Sequence, residues 1–201
     1  TDGIILEGTG SSGVDPAITT DDTFNISLVE IKDNMVAYSS NNGIAVRGAN
    51  DVVIQDNTLT LNRANGIAIG DDDANAYSSD VSVVGNDITR SGTNGVYVGN
   101  GSAAIDIGTT LDEEGNRIGT NSSGRRGLGN RANGVYVENA GASVSLAGNL
   151  IMSNGARRTT AGRSGIKLSN QSDEVVITEN NISMNRDAGI EAETAGTKAT
   201  I

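Results

Sequence analysis

The chain has 201 residues, a formal net charge of −11, and neither cysteine nor histidine. Without these residue types it has no disulfides, no thiol nucleophile, no His-ligated metal site and no catalysis through an imidazole. The acidic balance argues against nucleic acid as a partner, and no apolar run is long enough for membrane insertion.

The first predicted strand follows Gly3, where Ile4 and Leu6 alternate with other residues. Such alternation indicates a strand with one buried face, because successive side chains point to opposite sides. Six later glycines precede the same pattern, with the apolar pairs Ile44/Val46, Ile67/Ile69, Val96/Val98, Val135/Val137, Ile166/Leu168 and Ile190/Ala192.

A second predicted strand ends shortly before an Asn, and apolar residues lie three and five positions ahead of that Asn. The fourth repeat breaks this rule, so we expect Ile105 and Ile107 to fill the two positions while residues 108–114 bulge outward. A third, short strand centres on the apolar residue two positions after the Asn. The Asn residues in question are Asn34, Asn57, Asn86, Asn116, Asn149 and Asn180.

The shortest repeat, from Asn34 to Asn57, is 23 residues long, and periods of about 20–50 residues are typical of solenoids and arrays. The pattern predicts an all-β, single-domain parallel solenoid of six to seven coils over residues 1–201, whose core exists only along the stack. We expect the Asn residues at the turns, because Asn tolerates the left-handed conformation and stacked amides form hydrogen-bonded ladders. A second column precedes the glycines and consists of Asn42, Asn65, Asn94, Asn133, Ser164 and Ala188.

The patterns N-G-[IV]-x-[VI] and [DG]-N-x-[IL] resemble those of right-handed parallel β-helix proteins, the pectate-lyase-like superfamily. The resemblance extends from Gly3 to Ile201 and implies right-handed coils. It leaves the function open, because the same coil builds polysaccharide enzymes, tailspikes, adhesins and passive spacers. The chain starts and ends within strand motifs, so we expect a segment of a larger protein or assembly, with flanking coils or copies of itself as partners.

Acidic residues cluster after the third repeat, at Asp71, Asp72, Asp73 and Asp80, and again within residues 112–114. Clustered carboxylates supply the oxygen ligands that Ca²⁺ prefers, so a calcium site is one prediction for the first cluster. The alternatives are a solvated acidic edge and a glycosidase pair of carboxylates.

Basic residues concentrate in two insertions, residues 120–129 and 155–162, which we expect to interrupt the same turn in successive coils. Arg forks bind carboxylates and sulfates, so an Arg strip would suit an anionic polysaccharide; solvated loop charges are the alternative. The strip consists of Arg125, Arg126, Arg131, Arg157, Arg158 and Arg163, with Arg63, Arg90 and Arg186 in the same turn of other coils.

Tyr97 and Tyr136 occupy equivalent outward positions in adjacent coils, and Lys167 comes next in that column. This pair predicts a small platform for sugar rings, although cross-coil stacking also stabilises a sheet on its own.

Together these features predict an extracellular or cell-surface structural or adhesive module that associates end to end and contacts anionic polysaccharide. A polysaccharide lyase or glycosidase is the alternative, since many proteins that the sequence resembles act on carbohydrates. The absence of His and the scarcity of aromatic residues, one Phe and four Tyr, argue against the enzyme. No catalytic residue is assigned from the sequence, and Ca²⁺ is the one cofactor considered.

Overall fold

The computed structural model of the chain describes residues 1–7, 28–70, 78–99, 101–110, 115–141, 143–156, 162–170, 174–193 and 198–201. Within these ranges all regular structure is β-strand, so no described segment forms a helix that could cross a membrane. The strands form three sheets, and every pairing between neighbours is parallel and joins one coil to the next.

Each coil contributes one strand to each sheet in turn. The first sheet consists of β1 (Ile4–Glu7), β4 (Ile44–Arg47), β7 (Ile67–Ile69), β10 (Val96–Val98), β13 (Val135–Glu138), β16 (Ile166–Ser169) and β19 (Ile190–Glu193). The second sheet consists of β2 (Val29–Lys32), β5 (Asn50–Gln55), β8 (Ser79–Val84), β11 (Ala103–Gly108), β14 (Val144–Ala147), β17 (Glu174–Thr178) and β20 (Lys198–Thr200). The third sheet consists of β3 (Met35–Ala37), β6 (Thr58–Thr60), β9 (Asp87–Thr89), β12 (Arg117–Ile118), β15 (Leu150–Met152) and β18 (Asn181–Ser183).

This architecture confirms the predicted parallel solenoid of six to seven coils, with seven strands in two sheets and six in the third. The irregular fourth repeat also follows its prediction, because Ile105 pairs with Val81 and Ile107 with Val83.

The core is a set of stacked apolar columns. The alternating residues of all three sheets point inward, and Ile67, Ile105 and Ile151, one from each sheet, are completely buried. A single coil presents too few of these side chains to exclude water, so the apolar surface is buried between neighbouring coils.

The predicted Asn ladder lies between the second and third sheets, and we name it the first ladder. The backbone N–H and the Nδ2 of Asn57 both donate to Oδ1 of Asn86, at 2.9 and 3.0 Å. The Nδ2 of Asn57 also donates to the carbonyl oxygen of Ile31, at 2.8 Å. The same pattern repeats along the column from Asn34 to Asn180.

The left-handed conformation falls on the residue before the ladder Asn, which differs from the expectation for the Asn itself. Asp33, Asp56 and Glu179 have φ values of 56°, 54° and 56°, and each directly precedes an Asn of the first ladder. The Asn residues instead contribute hydrogen bonds, because their amides satisfy backbone groups that a sharp turn would leave unpaired.

The column before the glycines forms a second ladder with the opposite polarity. Both the backbone N–H and Nδ2 of Asn65 donate to Oδ1 of Asn42, at 3.1 Å each. The donors of the second ladder therefore point to the preceding coil, whereas those of the first ladder point to the following coil.

A third ladder, which the sequence analysis did not identify, lies between the third and first sheets. The Nδ2 of Asn130 donates to Oδ1 of Asn154 at 2.9 Å, and the Nδ2 of Asn154 donates to Oδ1 of Asn185 at 3.0 Å. Most of its members stand five positions after a first-ladder Asn, which is the signal that could have revealed them. The third ladder consists of Ser39, Asn62, Ser91, Asn130, Asn154 and Asn185.

The repeated glycines are explained by close approach to this third ladder. A Cβ atom on Gly95 would lie 2.6 Å from the carbonyl oxygen of Gly134 and 2.8 Å from Nδ2 of Asn130. Since Gly95 has no positive φ, the missing side chain, and not an unusual backbone conformation, is what the position requires.

Candidate functional site

An aromatic column lies on the outer face of the first sheet. Parallel register places Ala68, Tyr97, Tyr136 and Lys167 side by side on β7, β10, β13 and β16. The ring centroids of Tyr97 and Tyr136 are 5.7 Å apart with an interplanar angle of 56°. The Nζ of Lys167 lies 5.8 Å from the centroid of the Tyr136 ring, so the column combines stacking with a cation.

A groove of about 340 Å³ opens beside these rings. The side chains that line the groove differ in size between coils: Ala68 and Gly70 are small, whereas Tyr97 and Tyr136 are large. The small residues leave room beside the rings. Amide groups of the second ladder form one side of the groove, and they include Asn42, Asn65 and Asn94.

Charged side chains stand at the opposite side of the groove. Arg47 lies 3.7 Å from the carboxylate of Asp2, and the hydroxyl of Tyr97 donates to Oε2 of Glu138 at 3.2 Å. Arg47 and Glu138 both line the groove, so it offers one cationic and one anionic group next to its aromatic wall.

Lys167 is buried at the end of the column and is held by two carboxylates. Its Nζ lies 2.9 Å from Glu193 and 3.9 Å from Glu191. The hydrogen bond from Lys167, together with its charge, lowers the pKa of Glu193. This network fixes the ammonium over Tyr136 and keeps it from moving freely into the groove.

Burial raises the pKa of Tyr136 to about 12, with smaller contributions that include a hydrogen bond to Glu138 and its charge. The phenol is therefore protonated at neutral pH and can serve as a hydrogen-bond donor. The groove can stack a ring, bond hydroxyl groups through amides and pair one anion with Arg47.

Tyr97 and Tyr136 were predicted from the sequence as a small platform for sugar rings, whereas Arg47 and Glu138 were not predicted. Both stand three positions after the first apolar residue of their strands, Ile44 and Val135, so alignment of the repeats would have placed them on the same face.

The predicted Arg residues are spread over several places. Arg131 lines a separate groove of about 410 Å³ together with Arg63 and Arg90. The Nε of Arg163 donates a hydrogen bond to the carboxylate of Asp187 at 2.8 Å and forms an ion pair with it.

The first insertion carries Arg125 and Arg126 as exposed residues. Neither residue belongs to the lining of the two grooves. Arg157 and Arg158 lie outside the described residues, so their part of the predicted strip stays a prediction.

Both insertions fall in chain order between a strand of the third sheet and the next strand of the first sheet, so they interrupt the same turn in successive coils, as expected. They fall on opposite sides of the third-ladder Asn of their coil. Asn130 stacks on Asn154, and the first insertion ends just before Asn130 whereas the second begins just after Asn154. The ladder amides keep their place in the coil, so each insertion extends only its own side of the turn.

The predicted calcium ligands Asp71, Asp72 and Asp73 lie outside the described residues. Asp80 is exposed and accepts a hydrogen bond from Oγ of Ser79 at 3.1 Å. Within the described ranges no three acidic side chains converge as a metal site would require, and the calcium site stays a prediction. Residues 112–114 also lie outside the described ranges.

Comparisons with known proteins agree with this architecture. The family model described as a right handed beta helix region matches residues 12–201, which confirms the predicted handedness. A comparison with curated proteins found no sequence relative.

Two crystal structures of the periplasmic alginate epimerase AlgG share the fold. The first has a TM-score of 0.56 and 16% identity, and the match covers 86% of this chain and 39% of that chain. The second, a point mutant of that epimerase, has a TM-score of 0.54 and 16% identity over 85% of this chain and 39% of that chain. The chain therefore spans about two fifths of the length of these structures, and the likeness shows the fold.

Proposed function

The chain belongs to the right-handed β-helix family, and from this premise we propose that it is a non-catalytic module, outside the cytoplasm, that binds an anionic polysaccharide. The binding site is the groove on the first sheet. The observation that carries the proposal is the stacked pair of Tyr97 and Tyr136 beside Arg47 and the second-ladder amides.

The groove has the composition that recognition of a sugar chain requires. An exposed aromatic face packs against the apolar face of a sugar ring, and amide groups bond its hydroxyls. Asn42, Asn65 and Asn94 repeat at the coil spacing of about 4.8 Å, so they present equivalent amides along the axis. A linear polysaccharide lying along the stack would meet these amides in series.

The preference for an anionic ligand is inferred from Arg47. Its guanidinium lines the groove and already contacts Asp2 at 3.7 Å, so a carboxylate of the ligand would share this guanidinium with Asp2. The structural neighbours are named as alginate epimerases, which makes alginate the first ligand to test.

Binding without catalysis is favoured by the composition of the chain, which contains no imidazole to act as a general acid or base. Stacked coils provide the rigid extended surface that a structural or adhesive role needs.

The test is affinity electrophoresis of the purified chain in gels that contain alginate, polygalacturonate or neutral dextran. We expect retardation by the two uronates and not by dextran. Tyr97→Leu should weaken uronate binding by roughly 3- to 10-fold, the equivalent of about 0.5–1.5 kcal/mol for one aromatic contact. Met184→Ala is the control, because Met184 is an exposed apolar residue (54%) that lines neither this groove nor the other groove described above.

Two results would overturn the proposal. Equal retardation of both variants and the wild type would place uronate binding elsewhere. The appearance of unsaturated or epimerised uronate on incubation with alginate would show that the module is an enzyme.

A further inference from the structure

A second groove lies across a narrow ridge from the proposed polysaccharide site. Its volume is about 410 Å³, and its lining includes Tyr38, Leu61, Arg63, Arg90 and Arg131. The ridge is formed by the turn between the third and first sheets, where residues 40, 63 and 92 face the second groove and residues 41, 64 and 93 face the first.

Coil stacking places the arginines around one space. The backbone N–H of Arg63 donates to Ser39, that of Gly92 to Asn62 and that of Arg131 to Ser91. Arg63, Gly92 and Arg131 therefore form one column in three successive coils, so the two arginines stand two coil steps apart, about 10 Å along the axis. Arg90 comes from the coil between them.

Gly92 keeps the centre of this column empty. A Cβ atom there would lie 1.8 Å from the carbonyl oxygen of Arg63, so the backbone admits no other residue. Arg63 and Arg131 consequently have no side chain between them in the column.

The groove is positive although the chain as a whole carries a net charge of −11. Among the described residues that line it there is no Asp or Glu. Within the described ranges, Arg63, Arg90 and Arg131 have no carboxylate partner, whereas Arg117 and Arg163 are paired with Asp87 and Asp187. Three cations that line one groove, without a carboxylate among the described residues to pair with them, favour an anionic ligand there.

We propose that this groove is a second binding site, specific for a sulfate or phosphate group carried on a polymer. A planar carboxylate offers two oxygens and is satisfied by one guanidinium fork, whereas a tetrahedral oxyanion offers three or more and accepts from several forks at once. Three arginines from three coils match the tetrahedral group. The exposed ring of Tyr38 and the side chain of Leu61 provide an apolar wall for the body of the ligand.

The test uses dextran sulfate, dextran phosphate (a phosphate monoester) and polygalacturonate, with inorganic sulfate and phosphate as competitors, in titrations at low and at physiological ionic strength. The triple variant Arg63→Gln, Arg90→Gln, Arg131→Gln should bind dextran sulfate or dextran phosphate at least tenfold more weakly. The control triple variant replaces Arg125, Arg126 and Arg186 by Gln, which removes the same charge from exposed residues outside the lining. We expect the control to lose less than threefold.

Equal loss in the two triple variants would show non-specific attraction and overturn the proposal, as would the absence of binding by the wild type. Polygalacturonate that binds as tightly as dextran sulfate and depends on the same three arginines would overturn the assignment to a tetrahedral oxyanion. Displacement by free sulfate or phosphate alone, without tighter binding of either polymer, would identify a small-ion site and contradict a polymeric ligand. Tyr97→Leu tests the first groove separately, so a negative result for one groove does not contradict the proposal for the other.

Discussion

The third ladder is interrupted at Ser91, and the substitution Ser91→Asn should repair it. The hydroxyl of Ser91 is completely buried and has no hydrogen-bond partner within the described residues. In the next coil Asn130 supplies the acceptor for the backbone N–H of Ser91, at 2.9 Å, but Ser91 is too short to do the same for Asn62.

Space for the longer side chain is already present. Gly66 lies beside Ser91 as Gly95 lies beside Asn130 in the next coil. A Cβ atom on Gly66 would lie 3.1 Å from Oγ of Ser91, and a Cβ atom on Gly95 would lie 2.8 Å from Nδ2 of Asn130. The glycine that accommodates an Asn in one coil therefore accommodates it in the coil before.

The expected gain follows from the bonds that the neighbouring coils make. The new carbonyl would accept from the backbone N–H of Asn62, and the new amide would donate to Oδ1 of Asn130, as Asn130 and Asn154 do in the next step. Two or three hydrogen bonds at about 0.5–1.5 kcal/mol each, reduced by the entropy of ordering one side chain, give roughly 2 kcal/mol. For a chain of this size that raises the Tm by about 4–8 °C.

Thermal unfolding followed by circular dichroism measures this change, with Ser91→Ala as the control. The Ala variant only removes the unpaired hydroxyl and should stabilise by about 1 kcal/mol or less. If Ser91→Asn is no more stable than Ser91→Ala, the ladder does not contribute the hydrogen-bond energy that we assign to it.

Three further predictions concern the ladders, the glycines and the tyrosine column. Asn116→Ala should lower the free energy of unfolding by about 2–5 kcal/mol, because it leaves a buried backbone N–H and a buried carbonyl without hydrogen-bond partners. Asn34→Ala, at an exposed position, should lower it by less than about 1 kcal/mol, and urea unfolding measures both variants. Gly95→Ala should lower the free energy of unfolding by about 3 kcal/mol through overpacking. Gly189→Ala is the control and should change it by less than about 0.5 kcal/mol, because a Cβ atom there would lie 3.7 Å from its nearest neighbour, which is an ordinary contact. Equal Tm shifts in the two variants would refute the explanation by close approach. Spectrophotometric titration should show Tyr136 ionising near pH 12, a phase that Tyr136→Phe removes. Because the folded state retains that proton longer than the unfolded state, the contribution of Tyr136 to stability is lost as pH rises from about 10 to 12.

The sheets were predictable because a period of two and a recurring Asn define both the buried face and the turn. The strand of the irregular fourth repeat could also be predicted, because Ile105 and Ile107 keep the apolar alternation of the second sheet. The third ladder was missed because Ser39 and Ser91 replace Asn in two coils and an insertion displaces Asn130 from its usual offset.

The candidate sites were harder to predict because they depend on what lies beside a column. Tyr97 and Tyr136 were placed correctly on adjacent coils by the repeat, but the groove beside them also depends on the small residues Ala68 and Gly70 in its lining. Arg63, Arg90 and Arg131 were expected in the same turn of different coils, but the open space that Gly92 leaves between Arg63 and Arg131 was not predicted.

The ladders make the length of this rod adjustable during evolution. Every bond of the first ladder joins the same pair of atoms in neighbouring coils, so each coil offers to the next the donors and acceptors that it receives from the one before. Deletion of residues 57–85 would bring Asn86 against Asn34, with the Oδ1 acceptor that Asn57 now supplies. The same deletion would bring Ser39 against Ser91, which is too short to replace Asn62 as the acceptor in the third ladder. Where the ladders are uninterrupted, duplication or loss of a whole coil creates no new kind of contact, and selection can set the reach of the protein independently of the chemistry on its faces.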